Sequence, residues 1–97
     1  MNYMEIVFSI DKKYKIEHYK VNHSDVQEID IKEIFENVYL EFDETKHIKR
    51  ILGHNNQKQF FIIIGIFDKT KARFRVITAY KAKRKHIIFY LNEVKND

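Results

Sequence analysis

Met4, Ile6, Phe8 and Ile10 recur at every second position between polar neighbours, the spacing of a half-buried strand. Asp11 can cap the next segment, and Ile16 and Tyr19 at helical spacing predict a short helix over residues 12–19. Residues 21–27 read as a turn. Ile31, Ile34, Phe35 and Val38 then keep the i, i+3, i+4, i+7 spacing of one helix face, whereas Val26 and Ile29 fall on the opposite side of the same wheel. This slip of phase near Asp30 argues for two short helices in place of one long one. Alternation returns at residues 38–42 (Val38, Leu40, Phe42) and again around residues 48–52, which predicts two further strands. Residues 60–67 are apolar apart from Gly65 and form the run expected of a central strand buried on both faces. After a turn at 68–71, residues 72–80 set Phe74, Val76, Thr78 and Tyr80 on one face against Arg73, Arg75 and Ile77 on the other. The last stretch, 81–94, places Ile87, Ile88, Leu91 and Val94 along one side of a terminal amphipathic helix.

The element order is therefore β-α-α-β-β-β-β-α. Strands joined by short connections imply an antiparallel sheet of four to five strands, with the two short N-terminal helices and the C-terminal helix on one face, an α+β fold. With no proline and only two glycines there is no linker, so residues 1–97 read as a single domain. A chain of this length buries about 60–65% of its unfolded surface, and eight Phe and six Tyr supply much of the area needed. The absence of cysteine excludes disulfides and thiolate zinc sites. The longest apolar run has eight residues, far short of the roughly 20 that cross a bilayer. The N-terminus lacks a signal-peptide pattern, and a cytoplasmic location without membrane contact is expected.

Charge adds a second pattern. Lys and Arg exceed Asp and Glu by 18 to 14, a modest excess that is unevenly spread. Basic residues recur from Lys69 to Arg84 with no acidic one between them, while most carboxylates fall between Asp25 and Glu44. Such asymmetry suits a basic face meeting a polyanion, and equally a solvated basic strand and helix. Cleavage of RNA without metal needs a base at the 2′-hydroxyl, cations at the phosphate and an acid at the leaving oxygen. Arg73, Arg75, Lys81, Lys83, Arg84, Lys85, His86 and Tyr90 contain these types. Arg73 and Arg75 share a strand face, His86 and Tyr90 are helix neighbours four apart, and Lys83 lies three before His86. The bland alternative is a solvated helix with Tyr90 packed on the sheet. His18 and His23 are five apart and His47 and His54 seven apart, neither the spacing of a helical zinc motif, so neither metal nor cofactor is expected. Gly53 suits a turn or a close backbone approach better than a phosphate loop.

Arg75-Val-Ile-Thr-Ala79, followed by Ala82, Lys83-Arg84-Lys85 and Tyr90, resembles the C-terminal signature of the BrnT toxins of bacterial toxin–antitoxin pairs. Phe8-Ser-Ile-Asp11, Ile16-Glu17-His18, Ile34-Phe35-Glu36-Asn37 and Arg50-Ile-Leu-Gly53 are similar to other segments of that family in the same order, so the resemblance spans nearly the whole chain. It implies a RelE-like fold and a metal-independent ribonuclease that inhibits translation by acting on RNA, on the ribosome or free. It also implies neutralisation by a cognate BrnA-type antitoxin. By position, Arg50 and Arg75 would stabilise the phosphate, Arg84 would orient or neutralise it, and Tyr90 would position or donate a proton. Arg73, Lys81, Lys83 and Lys85 would bind RNA, and His18 is a further candidate. The chain departs from the family at Tyr80, where an Arg is usual, and at His86, where a Glu is usual. Loss of an Arg removes a charge-assisted phosphate contact of about 1.5–3 kcal/mol. His86 would compensate as a proton carrier. The alternative is a non-catalytic module of the same fold that binds RNA or a protein partner.

Overall fold

The computed structural model describes residues 5–8, 25–70 and 72–95. The elements are strand β1 (Glu5–Phe8), helix α1 (Glu28–Glu36), strands β2 (Leu40–Asp43), β3 (Ile48–His54), β4 (Phe60–Asp68) and β5 (Arg73–Lys81), and helix α2 (Arg84–Lys95). The short helix expected over residues 12–19 lies outside the described residues. The fold is α+β, built on a five-stranded mixed sheet in the order β1-β5-β4-β3-β2. Among the described residues no helix is long and apolar enough to cross a membrane.

The sheet is not wholly antiparallel. β2 to β5 form the expected meander, but β1 pairs parallel to β5, with Ile6 opposite Phe74 and Phe8 opposite Val76. Local alternation identifies a strand and is silent on its neighbour, and parallel pairing requires the long crossover that separates β1 from β5. Nor do the helices share one face. Val26, Ile31 and Ile34 pack with Ile51, Phe61, Ile63, Phe74, Val76 and Ala79 on one side of the sheet. Tyr90 and Val94 of α2 pack with Leu52 and Ile62 on the other. The continuous apolar run of β4 requires this arrangement, because successive side chains leave a strand on opposite faces. Each fully buried Ile or Phe contributes roughly 1.5–3 kcal/mol.

Two local expectations change for similar reasons. α1 runs through Asp30 without a break. Val26 is fully buried but precedes the first turn, so the helical wheel does not govern it, and Ile29 is 54% exposed. The start of α1 is closed by Asp30, whose Oδ2 accepts the Gln27 backbone N–H at 3.1 Å. In α2 the buried stripe is Tyr90–Val94, while Ile88, Phe89 and Leu91 lie on the outside. The Tyr90 hydroxyl fixes that rotation by donating to the Val38 carbonyl at 2.7 Å.

Both glycines serve close approach. A Cβ on Gly53 would lie 2.8 Å from Ile34 Cγ2 and 3.1 Å from Tyr39 Cβ, so its absence lets α1 sit directly on β3. A Cβ on Gly65 would run into the Arg75 carbonyl and the Phe74 ring. Beside Gly65 the β4–β5 register slips: Ile64 faces Thr78 but Gly65 faces Val76, leaving Ile77 as an extra residue. This bulge overturns the expected faces of β5. Thr78 and Tyr80 move to the side of Arg75, and Ala79 joins Phe74 and Val76 in the core.

Candidate nucleic-acid interface

The register sets Phe42, Arg50, Ile64 and Thr78 in one row across β2 to β5, and Ile48, Ile66 and Arg75 in the next. Phe42 and Ile64 belong to the cluster beneath α2, so both rows stand on that face. The helix covers only one part of the face. Its flank meets the open part through Phe89, whose ring lies 5.8 Å from that of Phe42, and through His86. Beyond it Ile66 remains 36% exposed. The result is an apolar floor with arginines standing on it.

Arg50 occupies the middle of this floor. Its guanidinium pairs with Glu44, yet Nε is buried without a hydrogen-bond partner among the described residues. An unsatisfied buried donor costs about 1–3 kcal/mol. Arg75 is exposed and has neither a hydrogen bond nor an ion pair among the described residues. It stands two strands from Arg50, about 10 Å across and about 7 Å along the sheet, so both side chains can reach one polyanion. Arg73, one position pair further toward the strand end, donates from Nε and a terminal nitrogen to Glu5 Oε2, both at 3.1 Å.

Lys83, Arg84 and Lys85 crowd the start of α2, whose first turn has no acidic residue. They add positive charge at the helix end that is already positive. His86 stabilises this turn. Its Nδ1 accepts the Lys83 backbone N–H at 3.2 Å, the part a Glu plays in a capping box. The neutral ring then carries its proton on Nε2, a hydrogen-bond donor. Burial, followed by the charges of Lys85, Arg50 and Lys83, lowers the His86 pKa below its ordinary 6.5. The unfolded chain therefore takes up this proton first as pH falls. Stability held above pH 6.5 declines below it, because a protonated ring loses the cap and adds a cation to the cluster. Amide hydrogen exchange in the first turn of α2 should accelerate between pH 7.5 and pH 5.5 in the wild type, relative to His86→Gln, which keeps an acceptor but does not titrate. Equal pH dependence in the two proteins would refute the capping role.

Two candidates lie away from this group. Tyr90 is 3% exposed, its ring packs edge-on against Phe60 at 5.0 Å, and its hydroxyl is engaged by Val38. Burial raises its pKa, so it is a poor proton carrier at neutral pH. Tyr90→Phe should cost about 1 kcal/mol in urea unfolding and leave RNA cleavage or binding unchanged. Loss of activity from a folded variant would return Tyr90 to the chemistry. Lys81 stands on the α1 side, opposite Phe61, and pairs with Asp25 at 3.6 Å. Tyr80 packs into the cluster under α2.

The grouping of Arg50 with Arg75 and His86 follows from the fold, whereas Arg84 lies at the exposed start of α2, on the outward side it shares with Ile88 and Leu91. Sequence reading missed Glu44, although the β2–β3 register makes it the diagonal neighbour of Arg50 once the hairpin is drawn. It also missed the apolar floor of Ile48, Ile64 and Ile66, and the Phe42–Phe89 contact that bounds it. Among the described residues no three His, Asp or Glu side chains gather as metal ligands would; His18 and His23 lie outside them. Comparison with protein-family models, with curated proteins and with solved structures finds no match.

Proposed function

We propose that this chain acts on RNA through the open face, as the BrnT-type toxin of a bacterial toxin–antitoxin pair, cleaving RNA without metal and restrained by a BrnA-like antitoxin. The observation that carries this reading is the gathering of Arg50 and Arg75 with His86 around an apolar floor, where the buried Nε of Arg50 lacks a partner among the described residues. Arginine forks match phosphate oxygens, and an apolar floor accepts the faces of unpaired bases. The Glu44 carboxylate on Arg50 occupies the guanidinium as a phosphate would.

RNA binding without cleavage is a second reading, favoured by a specific observation. The Tyr90 hydroxyl is committed to a carbonyl and His86 offers an N–H in place of a free lone pair, so neither supplies a ready base. One assay separates the two. Purified protein incubated with RNA should yield fragments, more slowly with Arg75→Ala and with Arg84→Ala. Salt-sensitive binding with intact RNA recovered selects the second reading. Equal behaviour of wild type and both variants would overturn this face as the RNA site.

A further inference from the structure

A cavity of about 890 Å³ lies at the end of the sheet remote from α2, between the β2–β3 turn and the β4–β5 turn. Its walls are tied together by the Phe67 N–H, which donates to the His47 carbonyl at 3.1 Å. Five of its lining side chains are Lys or Arg: Lys46, Lys49, Lys69, Arg73 and Arg75. Two of these are already neutralised, Lys49 by Asp43 at 2.6 Å and Arg73 by Glu5. The other lining carboxylate, Asp68, accepts the Thr70 N–H through Oδ1 at 3.1 Å. Lys46, Lys69 and Arg75 have no ion pair among the described residues. Arg75 also stands on the open face opposite Ile66, which lines the cavity as well, so the two share these side chains.

We infer that this end groove is a second phosphate-binding segment for the same RNA strand, entered past Arg75 and held by Lys46 and Lys69. The inference rests on the open face being an RNA site and deepens it, by making a strand long enough to pass both segments the preferred ligand. Charge is the recognising chemistry: three cations without ion pairs among the described residues line a walled groove whose carboxylates are engaged. Because the lysines sit on turns and contact phosphates, the end groove adds affinity and salt dependence but no base preference.

The test uses the full chain and two labelled single-stranded RNAs, of about four and about twelve nucleotides. Each single-strand phosphate contact contributes about 0.7 to the slope of log affinity against log salt. The double variant Lys46→Gln, Lys69→Gln should therefore lower the slope for the long RNA by about 1.4 and, one decade below 1 M salt, weaken its binding about 25-fold near 0.1 M. Binding of the short RNA, which fills only the open face around Arg50 and Arg75, should be unchanged. A long-RNA slope and affinity equal to wild type would overturn the end groove while leaving the open face intact. Equal losses for both RNAs would overturn it too, since the lysines would then act through the general field. If wild-type protein binds neither RNA, the reading of the open face itself fails.

Discussion

Truncating Phe74 to alanine lowers the stability of this fold by about 3–5 kcal/mol, the largest effect of any single side chain we expect. Phe74 is 0% exposed, lies over Gly65 with no room for a Cβ between them, and meets the Phe35 ring at 5.4 Å. It stands on β5, between β1 and β4, so the cavity left behind would loosen strand pairing on both sides as well as the docking of α1. Close-packed interiors relax only partly into such a void. A domain of this size has about 5–15 kcal/mol in total, so the variant would be marginal. Thermal melting should shift down by more than about 12 °C, given about 4–8 °C per kcal/mol for domains of this length. A shift smaller than about 4 °C would mean that the ring is not part of the core. The same substitution disturbs function only through folding, because Phe74 points away from Arg75 and the open face.

Arg50→Met separates binding from stability in the opposite sense. The aliphatic stem is kept and the guanidinium is lost, which removes one buried donor without a partner among the described residues and one ion pair to Glu44. The first change is worth about 1–3 kcal/mol in favour of the variant, and the second costs at most about 1 kcal/mol because the pair is partly exposed. Stability should be unchanged or raised by up to about 3 kcal/mol. RNA affinity should fall about ten- to a hundred-fold, the range for losing a charge-assisted phosphate contact. Fluorescence anisotropy with labelled RNA and urea unfolding on the same preparation measure the two effects. A destabilisation beyond about 1 kcal/mol with RNA affinity retained would make Arg50 a structural residue and remove it from the site. A residue held at a cost to stability is the pattern expected where function retains it.

The candidate site was legible in part. Arg75 and Arg84 stand where strand and helix spacing placed them, exposed on a sheet face and at a helix start. Arg50 entered through a family resemblance, and the β3–β4–β5 register is what puts it two strands from Arg75. His86 could be read as a titratable neighbour of Tyr90. Its use of Nδ1 as a helix cap depends on where α2 begins, and element ends are the least constrained feature of a pattern. Tyr90 was misleading for a plain reason. A tyrosine on a basic helix looks reactive, but its ring outweighs its hydroxyl in deciding where the helix rolls, and Phe60 and His54 receive it. The apolar stripe of α2 was misjudged by the same rotation, which left Ile88 and Leu91 outside.

By itself the sequence determined the α+β class, the strands later found as β1 to β5, the terminal helix and the segregation of acidic from basic residues. These follow from periodicity and composition, which each segment carries locally. Only the tertiary structure decided that β1 lies parallel beside β5, that the helices cover opposite faces, and that a bulge at Ile77 turns Thr78 and Tyr80 toward Arg75. It also decided that Arg50 stands beside Glu44 and that the two turns enclose a basic groove. Each of these is a relation between residues far apart along the chain, set by strand register and by which side chains find room against one another. No local period encodes such relations.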